Sequence, residues 1–447
     1  MTGSVFDSAL MGRLFPTGEV GRLFTDTAEI RAMLLVEGAL AKAQGARGVI
    51  PETAAAVIHR AAMEIQIDPG ALAEATGTNG VSVPALVTAF RAEIGAPEAR
   101  VFVHWGATSQ DIADTALMLR LRQALSLIAA DVTSVVKALG ALASAHAETP
   151  MAARTYGQHA TPTSFGAVVA AWGMPLLGLL GELPALRDAC LMVSLSGAAG
   201  TGSALGDEGP TVRADMAGAL GLKDPGRGWH TDRTPILRIA DWLTRLSLAL
   251  GKMGEDLILH AQSDLAEVRL GGAGGSSTMP QKQNPVGPSV LVALARQATA
   301  LHVALQSAGM QRFQRDGAAW FTEWMSLPQL VLGTASSAQT ALRLATTTTP
   351  DAPAMARVFD GAGEMMMAEA LSFALAETMP RPEAQAAVKA LCRAATDRGE
   401  PLSRIVAEAH PDLSGDLFDP RTQMGQAPAE ARAFARLAAT ASTSAGD

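Results

Sequence analysis

Tyrosine is almost absent from this sequence, with one in 447 residues, and cysteine is nearly as scarce, with two. Aromatic residues reach only 4% and charged residues 17%, against 48% hydrophobic residues in all. A core so poor in rings must be filled by Ala, Leu, Val and Met, whose side chains favour close helix–helix contact. A β-sandwich would call for Val, Ile, Thr and aromatics instead. Cys190 and Cys392 form no close-spaced redox motif, and no His/Cys/carboxylate cluster has metal spacing. No metal is therefore expected. The opening MTGSVFDSAL lacks the basic start and apolar run of a signal peptide, so a reduced, cytoplasmic setting is expected. Runs of Lys and Arg are missing too. With a net charge of −8, a nucleic-acid surface is excluded, and any positive site for an anionic ligand must be local.

One stretch, residues 160–181 (ATPTSFGAVVAAWGMPLLGLLG), is uncharged and long enough to span a bilayer. It opens with Thr and Ser, contains Pro162 and Pro175 and lacks basic flanks, which fits a helix buried in a large bundle better than a membrane span.

What is present is helical periodicity. Leu121, Leu125, Ile128, Val132, Val135, Leu139 and Leu142 alternate steps of four and three, as do Ile239, Leu243, Leu246, Leu250, Met253 and Leu257. Such seams mark long helices packed at shallow angles. Thr108, Ser109 and Asp111 offer caps before the first, and Thr234-Pro235 places proline in the first turn of the second. A third seam runs through Val290, Leu294, Leu301 and Leu305. Length alone implies two or three domains. The reading is all-α throughout, with an N-terminal unit over 1–105, a central long-helix unit over 106–345 and a smaller helical unit over 346–447. A helix is expected from about Asp26 to Gly48. Seams this extensive are hard to satisfy within one chain, and self-association is the natural outlet, the alternative being a monomeric helical array.

Residues 271–285 read GGAGGSSTMPQKQNP. Four glycines in five positions do not make a stable helix or strand interior. They make a loop presenting Ser276, Ser277, Lys282 and Asn284, donors suited to an anionic ligand or a developing oxyanion. The phosphate-binding spacing of Gly, four residues, then Gly-Lys-Ser/Thr is absent.

This segment resembles the GSSxMPxKxNP signature of the fumarase/aspartase superfamily. Residues 104–111 (HWGATSQD) and 155–166 (TYGQHATPTSFG) resemble its two other signature regions, in the expected order, and the likeness runs from Phe6 through Pro328. The resemblance implies a three-domain, all-α fold with a central long-helix bundle. It also implies a homotetramer whose active sites draw on three subunits, with no cofactor. Reactions in this family make or break a C–O or C–N bond β to a carboxylate, through an enolate-like aci-carboxylate. Carried onto this chain, the resemblance makes Ser276 the loop base with Ser277 beside it, and has Lys282 and Asn284 hold the carboxylate where charge builds. It makes His159 an acid/base or orienting group, and gives His104, Thr108, Ser109, Gln110, Gln158, Thr161 and Met279 contacts to substrate. His104, Thr108, Ser109 and Gln110 have a capping role as their plain alternative, and for Asp111 capping is the favoured one.

Within the superfamily, residues 104–117, 196–209 (SGAAGTGSALGDEG) and 314–328 (QRDGAAWFTEWMSLP) resemble the carboxymuconate cycloisomerases. Residues 76–86 carry no His-Asp pair, as a nucleotide-handling lyase of the family would. Arg315 is the expected guanidinium partner for a tricarboxylate, whereas Trp320 and Trp324 are expected to pack. Gln281 and Gln283 stand where many relatives carry His and a basic residue, which leaves the reaction type less affected than the substrate. The alternatives are an amine-releasing lyase of the same superfamily and a non-catalytic structural protein on this scaffold.

Overall fold

The structure, a computed structural model, describes residues 3–272, 274–275, 278–279, 281–413 and 415–442. Long helices carry it. The first seam lies on a single helix, Ser109–Ala145, and the second on Thr234–His260. From Leu121 through Leu139 the first seam's side chains are fully buried. These two pack with Phe165–Cys190, Val286–Ala308 and Gly317–Thr347 as one bundle. Small residues set how closely the helices approach. A Cβ on Gly251 would stand 2.5 Å from that of Ala295, so the contact between the Thr234–His260 and Val286–Ala308 helices admits nothing larger than glycine there. The N-terminal helix, Asp26–Ala46, starts where the Thr25 hydroxyl accepts from the Ala28 N–H at 3.2 Å. It packs on Glu52–Glu64 and on Ser109–Ala145, and its core is continuous with that of the bundle.

A separate core forms around Leu371, Leu375, Leu402 and Ile405. The last helix, Ala427–Thr440, leaves that core and returns to the bundle, burying Phe434 against Gly173 of the Phe165–Cys190 helix. Phe359, Met366 and Met367 pack instead around Ala152, so residues from 346 onward contribute to three cores.

Three expectations need correction. The chain is not helical throughout, because Pro150–Thr155 and Gln158–Ser164 form an antiparallel hairpin. Its two-residue turn has Tyr156 and Gly157 at φ 54° and 73°, the left-handed pair that matches strand twist. The apolar stretch 160–181 is accordingly part strand. The helix begins only at Phe165, where the Ser164 hydroxyl accepts from the Ala167 N–H at 3.1 Å, and runs to Cys190. Pro175 and Pro184 are tolerated inside it because both occupy exposed positions. Lastly, Gly274–Gly275 does pair as a short ladder with Gln283–Asn284. A Cβ on Gly274 would stand 2.8 Å from Val286, so the close approach requires glycine. By length and composition alone, three bundle helices (Ser109–Ala145, Phe165–Cys190 and Val286–Ala308) match a membrane span, and in this fold their buried seams face other helices.

A wholly buried charge cluster joins three elements. Arg233, just before the Thr234–His260 helix, donates to Asp114 at 2.8 and 3.0 Å and to Glu323 at 3.0 and 2.6 Å. Burial works against the guanidinium charge, but the two carboxylates outweigh it and hold the proton more tightly than in water. Burial also pushes the Glu323 carboxyl above its ordinary range, against the pull of Arg233. Removing the cation leaves two carboxylates without a counter-charge. Arg233→Met is expected to cost about 3–5 kcal/mol, read as a lowered thermal midpoint, and an unchanged midpoint would refute this account of the cluster.

Candidate active site

The first signature region sits where two helices begin. Thr108 precedes the Ser109–Ala145 helix, and the Asp111 carboxylate accepts from the Thr108 N–H at 3.0 Å, so the expected cap is present. Asp111 does more than cap. Fully buried, it also accepts from the Ser196 and Gly197 N–H groups at 2.9 Å each, from the Ser194 hydroxyl at 3.2 Å, and pairs with His230 Nε2 at 2.8 Å. The glycine-rich 196–209 segment is thereby folded onto the helix start, with Gly197, Gly200, Gly202 and Gly206 all at positive φ.

Arg315, exposed just before the Gly317–Thr347 helix, donates to Gln110 Oε1 at 3.0 Å and to the Thr108 hydroxyl at 3.2 Å. Gln110 is 2% exposed, and its NH₂ group donates to Asp114 and to the His230 carbonyl. Gln110, expected as a substrate contact, here holds Arg315 through its amide oxygen. Thr108 and Ser109 remain half-buried at the surface of this corner. His104, in the left-handed region at φ 63°, presses Nδ1 against the buried Glu37 carboxylate at 2.6 Å. Burial works against its protonation, but Glu37, with Asp111 behind it, outweighs burial and raises the imidazole above its ordinary value.

A cavity of about 490 Å³ lies behind the corner, walled by Phe24, Met33, Leu117, Trp320 and Trp324, with Arg120 on one side. Trp320 packs as expected at 3% exposure, but Trp324, expected to pack as well, is 38% exposed and leans on Trp320 at 4.7 Å between ring centroids.

The other signature residues lie elsewhere. Gln158 and His159 sit exposed at the tip of the hairpin, with Thr161 half-buried further along the strand. Lys282 is exposed, Asn284 is half-buried in the short ladder, and the Lys282 N–H donates to the Met279 carbonyl at 3.0 Å. Ser276 and Ser277 lie outside the described residues. The hairpin follows the far end of the Ser109–Ala145 helix, and Val268–Arg269, at the root of the 271–285 loop, pairs with Thr349–Pro350 beyond the far end of the Gly317–Thr347 helix. Those helices hold 37 and 31 residues, spanning about 55 and about 46 Å at 1.5 Å per residue. Within one chain, therefore, the Thr108–Arg315 corner and the hairpin and loop stand at opposite ends of the bundle.

Sequence reasoning passed over the residues that hold these pieces: Glu37 under His104, His230 under Asp111, and Glu267. The Glu267 carboxylate is fully buried and accepts from Arg154 at 3.0 and 2.7 Å and from His260 at 2.8 Å. Burial raises its proton affinity, but the bonds from His260 and Arg154 prevail and hold the carboxyl below its ordinary value. No local motif distinguishes a carboxylate whose main partner, Arg154, lies 113 residues away.

The His104–Glu37 pair has a pH signature. A raised folded value means that its stabilisation is fully present below the unfolded value of about 6.5 and is lost as pH rises through the folded one. The gap in thermal midpoint between the wild type and His104→Asn, which tolerates the same backbone, should be larger at pH 6 than at pH 9. A gap independent of pH would contradict the pairing.

Comparison with known proteins bears on the whole chain. A family model described as lyase matches residues 16–300. A 3-carboxy-cis,cis-muconate cycloisomerase from Pseudomonas aeruginosa is 38% identical over 437 residues, covering 94% of each chain. A nitrosuccinate lyase from Streptomyces davaonensis is 34% identical, covering 95% of this chain and 94% of its own. The crystal structure of 3-carboxy-cis,cis-muconate lactonizing enzyme from Pseudomonas putida superposes with a TM-score of 0.90 at 34% identity, covering 97% of this chain and 99% of that one. With its long central helix bundle and its signature regions in order, the chain belongs to the lyase family of the fumarase/aspartase superfamily.

Proposed function

We propose that the protein is a cycloisomerase that closes 3-carboxy-cis,cis-muconate to γ-carboxymuconolactone. The observation that carries this reading is Arg315, an exposed guanidinium aimed by Gln110 and Thr108 at the start of the first signature helix. A tricarboxylate needs such a fixed, always-charged partner, and relatives similar over almost the whole chain bear that activity in their names.

In the reaction, one substrate carboxylate oxygen adds to the conjugated double bond, forming the ring C–O bond. The electron pair moves onto the neighbouring carboxylate as an aci-carboxylate dianion, and a proton then adds at carbon. Atoms balance without a co-reactant. Lys282 and Asn284 stabilise the dianion, and His159 and the loop serine Ser276 handle the proton, the serine being the base of the reverse, ring-opening direction. Holding the diene folded for closure contributes through entropy lost on binding rather than in the chemical step.

The reading includes a homotetramer in the cytoplasm. A muconate is far shorter than the 37- and 31-residue helices, about 55 and about 46 Å long, at whose opposite ends the Thr108–Arg315 corner and the hairpin and loop lie, so a complete site takes these groups from different copies. Met174, Leu248, Leu259 and Val303, all on bundle helices, are exposed in the single chain and supply apolar surface for that contact.

A second reading is a lyase that breaks a bond β to a carboxylate without ring closure. The similarity to a nitrosuccinate lyase favours it. Purified protein assayed against 3-carboxymuconate, nitrosuccinate, adenylosuccinate and argininosuccinate separates the two. Under the first reading only the muconate turns over. Ser276→Ala should then lower kcat by orders of magnitude with the oligomer intact. Arg315→Met should lower kcat/KM roughly 10–100-fold, the worth of a charge-assisted hydrogen bond. Near-normal turnover in either variant would remove that residue from the mechanism.

A further inference from the structure

We propose that Glu267 is a positioning residue: through Arg154 it locks the hairpin tip that carries His159 to the root of the 271–285 loop. The inference rests on the reading that His159 and that loop handle the substrate's proton and carboxylate.

Arg154 and His159 are directly paired across the hairpin ladder, just past a register shift between Ala152 and Arg154. Side chains so opposed leave the same face of a two-stranded ribbon. From Thr155 through His159 every residue is exposed, so no packing of their own holds the tip. A two-stranded hairpin is marginal without such support. Arg154, with its side chain only 17% exposed, is the tether nearest His159. Its two bonds to Glu267 form a planar fork, which fixes direction as well as distance.

Glu267 is itself rigidly placed. Its N–H donates to the His260 carbonyl at the end of the Thr234–His260 helix, and its carbonyl accepts from the Asp351 N–H at 2.8 Å. The next two residues, Val268–Arg269, pair with Thr349–Pro350, and the loop begins two residues later. With His260 Nδ1 as a third partner, all the carboxylate's bonds come from groups that fix these segments. One buried carboxylate thus sets the hairpin, a helix end and the loop root at fixed distances from one another. Neither Glu267 nor Arg154 needs to touch substrate to do this.

Stability and positioning separate in two variants of the full-length protein. Glu267→Gln leaves Arg154 without its counter-charge. The double variant Arg154→Met/Glu267→Leu removes both charges and leaves no orphan ion, a replacement that often restores stability. In Glu267→Gln, amide exchange in peptides covering 150–164 should accelerate at least tenfold, with the Ser109–Ala145 helix unchanged. Turnover of 3-carboxy-cis,cis-muconate should fall tenfold or more, with KM within threefold of wild type. The double variant should regain the thermal midpoint yet keep the low kcat and the fast exchange. Recovery of kcat together with the midpoint would reduce the pair to a structural ion pair and overturn the proposal. Unchanged exchange in the hairpin, or fast exchange with normal kcat, would overturn it equally. A wild-type protein inactive on the muconate would defeat the functional reading instead, and the exchange measurement would still decide whether Glu267 tethers the tip.

Discussion

The arrangement depends on two helices that start at one corner and end at the same far edge. Ser109–Ala145 and Gly317–Thr347 are joined at their beginnings by Arg315 on Thr108 and Gln110. Beyond their ends come the hairpin and the strand that pairs with the loop root. Because an α-helix cannot shorten, their rise of 1.5 Å per residue keeps the Thr108–Arg315 corner apart from the hairpin and the loop root within the chain. The bundle is therefore a spacer as much as a core. It presents signature residues at each end, and under the proposed function a complete site takes them from different copies.

Each end is built around buried carboxylates that gather donors from distant segments. Asp111 draws the 196–209 segment onto the first helix, Glu37 holds His104, and Glu267 ties the hairpin to the loop root. In each case the carboxylate is nearly or fully inaccessible. A buried charge is tolerated only with partners in good geometry, so each of these carboxylates fixes backbone that would otherwise wander. The exposed groups, Arg315, His159 and Lys282, are thereby set on rigid supports while staying open to a ligand.

How much of this was legible in the sequence follows from the range of the forces involved. Heptad seams are local, so the two seams through Leu121 and Ile239 foretold the long helices, and the caps at Thr108 and Thr234-Pro235 marked their starts. The hairpin escaped notice because its strands are short and rich in Ala, Thr and Pro, with no alternation to betray them, and because Ala160 and its neighbours look like the start of the apolar helix that follows. Signature motifs singled out candidate reactive residues but not their distances, which depend on tertiary structure. Gln110 shows the limit well: its place in a motif suggested a ligand contact but gave no sign of its partners Asp114, His230 and Arg315. Trp324 shows the converse, a ring expected to pack that rests on Trp320 yet stays partly exposed beside a cavity.

The central claim, that one site is assembled from opposite ends of different copies, is tested most directly by mixing two inactive proteins. Arg315→Met and His159→Asn, each oligomeric and each impaired in turnover, are unfolded together and refolded into mixed oligomers, whose composition is confirmed by native mass spectrometry. If sites draw these residues from different subunits, some sites in the mixture carry both intact, and turnover rises well above the sum of the parents. Mixed oligomers of confirmed composition with no gain in turnover would contradict the account.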